Sequence, residues 1–282
     1  MNTTKNKIIG MNDFLKDIFS KIDFNNTSVL DAGTGKGSSQ ILIDCNPKEL
    51  SCVTYFGDLR KGKTVQEILD KTNNKNCKLI YGDLANKDLF KKESFNYILG
   101  HLLIGELKVG KVENVINNLF YWLKPGGKIF FTDREFYEEF EVKFDYVSMG
   151  QIVGSSELSK RSNRDLYESL NLFLSVPREI FLLTQRERNF DYPSKWVQSW
   201  LEKVGFEKIE CYHFDSEEKL RKKFFEQLEW VKERIEKLEN IDLKNGLLKE
   251  LEKVIKEFEK REIKDDVLFL REHFFFQAEK IK

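Results

Sequence analysis

The chain has few cysteines and no long apolar run. Its four cysteines, Cys45, Cys52, Cys77 and Cys211, are spread over 282 residues, and no two of them form a C-x-x-C pair. This spacing predicts free thiols rather than a disulfide framework. No stretch of about 20 apolar residues could span a bilayer, and the first residues lack the apolar run of a signal peptide. We therefore expect a soluble, cytoplasmic protein with no membrane partner.

The chain also lacks an excess of charge of either sign. Its 47 basic and 47 acidic residues give a formal net charge of zero. A balanced charge provides no long-range attraction to a polyanion, so the composition disfavours nucleic acid as a partner. Binding of nucleic acid through a local basic patch is the alternative that the net charge does not exclude. The length and the 40% of hydrophobic residues, with 24 phenylalanines, predict one large domain with a bulky aromatic core.

One short segment carries the strongest signal in the sequence. From Val29 to Ser39 it reads V-L-D-A-G-T-G-K-G-S-S, which predicts a buried strand, a tight turn and the start of a helix. Gly33, Gly35 and Gly37 let a ligand approach the main chain closely. A helix that begins after such a turn directs free N–H groups at the ligand. The segment is typical of a loop that binds a nucleotide-type cofactor.

The spacing of the glycines narrows the choice of cofactor. The dinucleotide fingerprint is G-x-G-x-x-G, whereas this loop reads G-T-G-K-G and follows Asp31. A carboxylate at that position would repel a pyrophosphate but suits the ammonium group of an amino acid. S-adenosylmethionine joins an amino acid to an adenosine. We therefore predict S-adenosylmethionine as the cofactor, with Asp31, Gly33, Thr34, Gly35 and Gly37 as binding residues.

The segment D-A-G-T-G-K-G resembles the first motif of class I S-adenosylmethionine-dependent methyltransferases. Five later segments resemble further motifs of that family in the same order: residues 53–58, 78–84, 94–100, 123–131 and 200–206. The resemblance covers roughly residues 25–135 and 193–214. It implies an α/β, Rossmann-like fold, in which a doubly wound, mostly parallel seven-stranded sheet ends in an antiparallel strand.

Two acids belong to the motifs of predicted strands two and three, and the first of these acids is expected to end its strand. Asp58 lies 21 residues after Gly37, close to the spacing of about 20 residues expected before a ribose-binding carboxylate. One carboxylate can accept hydrogen bonds from both ribose hydroxyls, and we include its neighbour Leu59 in the site. The resemblance implies that Asp83 accepts a hydrogen bond from the adenine amino group, beside Leu84.

The ends of the next two strands supply the candidates for catalysis. Gly100 ends the predicted fourth strand and is expected to contact the cofactor. His101 follows it, where cofactor and acceptor should meet, and Asp133 at the end of strand five could serve as a base or orient the acceptor. The alternatives are a packed histidine and a helix-capping aspartate. The other histidines have no metal-ligand spacing with the cysteines, so no metal is predicted.

We expect residues 1–282 to form a single methyltransferase domain with two insertions. Residues 134–192 follow strand five and are too long for a connection without helices of their own. Residues 216–262 repeat apolar positions at 4-3-4-3 spacing and predict an αα-hairpin between strands six and seven. Both insertions leave from the strand ends where open α/β sheets bind ligands. One or both should therefore form the acceptor pocket.

These features predict methyl transfer to a small, partly apolar acceptor, because the first insertion is rich in aromatic residues. No N-P-P-Y-type motif follows strand four and no Pro-Cys nucleophile is present, which argues against adenine-N6 and cytosine-C5 methylation. An RNA or protein methyltransferase is the alternative, and a non-catalytic scaffold that binds the cofactor is a second one. The hairpin seam favours intramolecular packing, with a homodimer through residues 216–262 as the other interpretation.

Overall fold

The computed structural model describes residues 9–55, 59–72, 76–107, 110–135, 192–236, 238, 240–260 and 268–281. Within these ranges the strands are β1 (Ser28–Ala32), β2 (Glu49–Thr54), β3 (Cys77–Tyr81), β4 (Phe95–His101), β5 (Leu123–Arg134), β6 (Glu207–Lys219) and β7 (Leu268–Glu279). The α-helices are α1 (Met11–Phe19), α2 (Lys36–Asp44), α3 (Leu59–Leu69), α4 (Val112–Trp122), α5 (Ser194–Val204), α6 (Leu220–Glu236) and α7 (Ile241–Lys260). Short 3-10 turns cover Lys87–Leu89 and Ile104–Glu106.

The strands form one seven-stranded sheet in the order β3-β2-β1-β4-β5-β7-β6. The neighbours from β3 to β5 are all parallel, and β7 pairs with β5 in the antiparallel sense. This arrangement confirms the predicted mostly parallel sheet and its antiparallel last strand. The strand order reverses between β1 and β4, and ligands of open α/β sheets bind beyond the carboxyl ends of the strands at such a switch point.

The sheet is covered on both faces, which follows from the alternation of its side chains. Leu30, Ala32 and Phe131 lie in one buried cluster, together with residues of α4 and α5. Val29 and Phe130 point into a second cluster with residues of α1, α2 and α3. Successive side chains of a strand point to opposite faces, so strands that are apolar at every position require a core on each side.

Three strands end at different positions from those predicted. β2 ends at Thr54, although residues 53–58 were expected to form it, because the buried run covers Leu50–Thr54 and Tyr55 is 58% exposed. β3 ends at Tyr81, before the acid and leucine that were assigned to it. β4 continues through His101, since that residue pairs with Thr132 of β5.

The predicted hairpin is present as α6 and α7, but it begins at residue 220 because β6 extends to Lys219. Apolar side chains of both helices bury each other, and the rings of Phe224 and Phe258 stack at 3.6 Å between centroids. On α7 the buried seam includes Leu247, whereas Leu248 is only partly buried. These apolar side chains are thus buried against one another within one chain. The insertion predicted at residues 134–192 lies, from 136 to 191, outside the described residues.

The chain divides into two compact units. One consists of Met1–Phe136, Asn189–Asp215 and Glu272–Lys282, and it contains the parallel strands. The other consists of Tyr137–Arg188 and Ser216–Arg271, and it contains α6 and α7. No helix in the described ranges has both the length and the apolar character needed to cross a membrane.

Candidate functional site

The glycine-rich loop lies at the carboxyl end of β1, in the switch-point position. The backbone N–H of Thr34 donates to the carbonyl of Val53 at 2.8 Å, which holds the loop against the end of β2. Gly33 has a φ of +76°, and a Cβ there would lie 2.8 Å from Leu103 Cδ1. Both the left-handed backbone and the close neighbour require glycine at this position.

Gly35 and Gly37 are glycines for other reasons. Gly35 has an extended backbone that any residue can adopt, and, its chain neighbours aside, no described residue has a heavy atom within 4 Å of the position of its Cβ. A Cβ at Gly37 would lie 3.0 Å from Oδ1 of Asn12, on α1. Gly37 thus permits α1 to approach α2, whereas Gly35 leaves open space beside the loop. That space is where a ligand could approach the main chain.

Asp31 holds the glycine-rich loop through hydrogen bonds to its buried carboxylate. Its carboxylate is fully buried, and Oδ2 accepts hydrogen bonds from the hydroxyls of Thr34 at 2.5 Å, Ser38 at 2.9 Å and Ser39 at 3.0 Å. Oδ1 is buried and has no hydrogen-bond partner in the described ranges. Burial raises the pKa of Asp31 to about 6, against the opposing effect of the three hydroxyls.

These contacts give Asp31 a role that the sequence did not reveal. Three hydroxyls converge on one carboxylate oxygen, which joins the end of β1 to the loop and to the first turn of α2. The sequence analysis did not predict Ser38 and Ser39 as partners of Asp31. The signal that could have indicated them is a pair of polar residues at the start of a helix that packs on the sheet. The expected contact of Asp31 with an ammonium group stays a prediction.

The turn after β3 is held by α4. Asp83 Oδ1 accepts from the N–H of Ala85, and Oδ2 accepts from Lys111 Nζ, both at 2.9 Å. Asn118 of α4 donates to the carbonyl of Leu84 at 2.9 Å. The side chain of Leu84 is buried in the core, so only its backbone is available to a ligand. Lys111 and Asn118 were not predicted, because a residue's partners across an α/β crossover leave no local sequence pattern.

Three of the predicted cofactor residues are only partly accounted for. Asp58 lies outside the described residues, and Leu59 is the first residue of α3. Gly100 has a packing reason to be glycine, because a Cβ there would lie 2.6 Å from the ring of Phe131. The cofactor contacts of these three residues stay predictions.

His101 ends β4 and is tied to β5. Its Nδ1 lies 2.6 Å from the hydroxyl of Thr132. Burial lowers the pKa of His101 to about 4, so the imidazole is neutral near pH 7. The next residue, Leu102, has a φ of +52°. Bulky residues rarely adopt this backbone region, and such outliers cluster at functional sites.

The carboxylate of Asp133 accepts hydrogen bonds from backbone N–H groups. Its Oδ2 accepts from the N–H of Gly105 at 2.8 Å, and its Oδ1 accepts from the N–H of Arg134 at 2.9 Å. The carboxylate therefore ties the 3-10 turn after β4 to the end of β5. This turn-holding contact differs from the predicted helix cap. The role of Asp133 as a base stays a prediction, now with both oxygens engaged.

A groove of about 1170 Å³ lies elsewhere on the surface. Asn25, Lys48 and Asn76 in its lining precede β1, β2 and β3, which places much of it at the amino ends of these strands. The glycine loop is at the opposite ends of the strands. We therefore take the carboxyl edge of β1, β4 and β5 as the candidate site and the groove as a separate surface feature.

Comparison with known proteins agrees with this architecture. No family model matches the sequence, and no curated protein matches it. A candidate methyltransferase from Bacillus halodurans has a similar structure, with 15% identity, 96% of this chain and 99% of that chain covered, and a TM-score of 0.55. The [4+2]-cyclase SpnF is similar at 12% identity, with 98% and 86% covered and a TM-score of 0.53.

A third similar structure is the Haemonchus contortus phosphoethanolamine N-methyltransferase 2, solved with phosphomonomethylethanolamine and S-adenosylhomocysteine. It has 17% identity and a TM-score of 0.50, and the match covers 96% of this chain but 52% of that chain. Identities this low establish the fold and leave the chemistry to the site itself. Strand order, the loop after β1 and these similarities together show that the chain has the Rossmann-like fold of class I methyltransferases.

Proposed function

We propose that this chain is an S-adenosylmethionine-dependent methyltransferase that acts on a small, partly apolar acceptor. The observation that carries the proposal is the loop between β1 and α2. Gly35 has neither a strained backbone nor a crowded Cβ position, so its own structure does not demand glycine. A ligand lying against the main chain would demand glycine at this position. The start of α2 offers free N–H groups there.

The residues present fit this cofactor at two described points. Among the described residues, the open side of Gly35 leaves room against the loop, and Oδ1 of Asp31 has no donor. We assign the loop residues Gly33, Thr34, Gly35 and Gly37 to the amino-acid part. Asp58 with Leu59 would take the ribose, and Asp83 with Leu84 and Gly100 would take the base.

Bound S-adenosylmethionine supplies an activated sulfonium methyl group, so the protein has mainly to align the acceptor with it. Positioning of this kind can supply most of the rate. His101 and Asp133 lie at the adjoining ends of β4 and β5, on the side of β1 away from β2 and β3. We assign His101 to acceptor binding.

A small acceptor is supported by composition and by one similar protein. The zero net charge gives no general attraction to nucleic acid. The Haemonchus contortus protein named above is a phosphoethanolamine N-methyltransferase, so at least one structurally similar protein is named for a small acceptor. The segment that we expect to line the pocket is rich in aromatic residues, which suit an acceptor with an apolar part.

The test of cofactor binding is Gly35→Val. The variant should stay folded, because no described residue beyond the chain neighbours lies within 4 Å of the new Cβ, and titration calorimetry should detect no binding of S-adenosylmethionine. Gly246→Val is the matched control, since Gly246 is equally uncrowded but lies in α7, away from the loop. Wild-type affinity in Gly35→Val would overturn the assignment of the loop.

A second experiment separates the acceptor classes. With radioactive cofactor, we expect label in a pool of small amines and acids and none in bulk tRNA or protein. Binding to tRNA should be weak and should vanish at moderate salt. Labelled RNA with binding that persists in high salt would favour an RNA methyltransferase. Tight cofactor binding without label in any pool would favour a non-catalytic scaffold.

A further inference from the structure

The hydrogen bond between His101 and Thr132 has a direction that can be worked out from burial. Thr132 is fully buried, and its hydroxyl has one partner in the described part of the chain, His101 Nδ1 at 2.6 Å. A hydroxyl can donate or accept. A buried donor without an acceptor is rarer and costlier than an acceptor with an unused lone pair. The hydroxyl proton of Thr132 therefore points at Nδ1.

This direction fixes the tautomer of the ring. If Nδ1 accepts the hydrogen bond, the proton of a neutral imidazole is on Nε2. Burial lowers the pKa of His101 to about 4, which keeps the ring neutral near pH 7. Nε2 makes no hydrogen bond to any described residue, and it is not among the fully enclosed polar atoms that lack a partner. Nε2 is therefore not completely enclosed by the described residues.

We infer that Thr132 is a positioning residue that holds His101 as the Nε2–H tautomer, and that this N–H donates to an oxygen of the acceptor molecule. The tautomer follows from the protein alone, whereas the oxygen contact rests on the proposed function. The contact places His101 in the acceptor site as a hydrogen-bond donor and not as a general base.

The inference narrows the class of acceptor. In this tautomer Nε2 already carries the ring proton and is a donor only, so it takes up no proton from a substrate. Both oxygens of Asp133 accept backbone N–H groups. His101 is thus not arranged to remove a proton from a hydroxyl group, and the role of Asp133 as a base stays a prediction. The acceptor that fits carries an oxygen for His101 and a nucleophilic atom that reacts without deprotonation, such as the lone pair of a neutral amine.

Nitrogen-15 NMR of the full chain labelled at histidine tests the tautomer without any substrate. The sequence has three histidines, and the signal lost in His101→Gln identifies this ring. At pH 7 we expect a pyridine-type resonance for Nδ1 and a pyrrole-type resonance for Nε2. The reverse pattern would overturn the inference, because it would leave Nε2 free to act as a base.

Two variants and one titration complete the test. Thr132→Val removes the hydroxyl with little change in shape and should abolish the preference for Nε2–H, whereas Thr132→Ser should keep it. An unchanged preference in Thr132→Val would contradict the role of Thr132.

With S-adenosylhomocysteine bound, sodium acetate should shift the wild-type Nε2–H resonance saturably, and no shift would overturn the oxygen contact. Calorimetry on the same samples measures cofactor binding. Absence of cofactor binding would contradict the proposed function, whereas the tautomer measured by NMR does not depend on it.

Discussion

Single residues of the glycine loop look equivalent in sequence and differ in structure. We expect Gly33→Ala to lower the free energy of unfolding by about 2–4 kcal/mol, since a left-handed backbone costs an L-residue about 1–2 kcal/mol and overpacking against Leu103 adds to it. Gly35→Ala should cost about 1 kcal/mol or less, as a poorer helix N-cap. Urea unfolding of both variants measures the difference, and equal losses would contradict the backbone argument.

The buried carboxylate of Asp31 predicts a pH dependence of stability. Its pKa is about 6 in the folded chain, above the value of about 4 for an unfolded aspartate. Between these two values the folded chain holds a proton that the unfolded chain has lost. The free energy of unfolding should therefore fall by about 3 kcal/mol as the pH rises from 4 to 6 and stay level above that range.

The matched variant for this effect is Asp31→Asn, which has the same shape and no charge. Urea unfolding at several pH values should show wild type losing stability relative to Asp31→Asn between pH 4 and 6. His101 acts in the opposite sense, because its lowered pKa makes stability fall as the pH drops from about 6.5 toward 4. Only the difference between wild type and Asp31→Asn isolates the carboxylate, and a constant difference across the range would refute its raised pKa.

At this scale the sequence predicted positions better than contacts. The loop glycines and Asp31 were located because they are adjacent along the chain and form a local pattern. The hydroxyls of Ser38, Ser39 and Thr132 were not predicted as partners, since a serine or threonine gives no sign of where its proton points. Asp133 was found at the correct strand end, but its backbone donors depend on the path of the turn after β4.

Helix α4 acts as an element that positions the turn after β3. Asn118 is buried and donates to the carbonyl of Leu84, whereas among the described residues the adjacent Asn117 bonds within its own helix, to the carbonyl of Glu113. Asn118→Ala should lower stability by about 1–2 kcal/mol by leaving that carbonyl unpaired. It should also weaken S-adenosylmethionine binding several-fold in calorimetry. Asn117→Ala is the control and should change neither quantity, and identical behaviour would disprove the role of α4.

The α6–α7 hairpin gives a prediction about modular construction. Replacement of residues 220–260 by a short Gly-Ser linker should leave cofactor affinity unchanged, because none of the predicted cofactor residues lies there. Acceptor methylation should fall steeply if the hairpin forms part of the pocket. The cofactor titration and an activity assay measure the two effects, and full activity would show that the hairpin has no part in acceptor binding.

The oligomeric state follows from the same replacement. The apolar seam of the hairpin is largely used within one chain, with Phe224, Val231 and Ile235 buried. Size-exclusion chromatography should therefore give the same number of subunits for the wild type and the replacement. A smaller assembly after replacement would instead support the homodimer through this hairpin.

For the molecule as a whole, the sequence predicted the fold because its signals come in a fixed order. Alternation of apolar strands and amphipathic helices implies a parallel sheet, and the short connections limit the possible strand orders. The strand ends were less predictable, as β2 shows, because the change from Thr54 to the exposed Tyr55 depends on what covers the sheet. Propensity alone treats both residues as good strand formers.

The position of β7 has a consequence for how the protein is made. β7 is the last of the seven strands to leave the ribosome, yet it lies between β5 and β6. Until it emerges, the outer edge of β5 has no neighbour, and β6 cannot join the sheet. An unpaired apolar edge, which here includes Ile129, Phe130 and Phe131, is a template for association with other nascent chains. Slowing translation between β6 and β7 should therefore prolong an aggregation-prone intermediate in the cell, whereas slowing it before β5 is made should not.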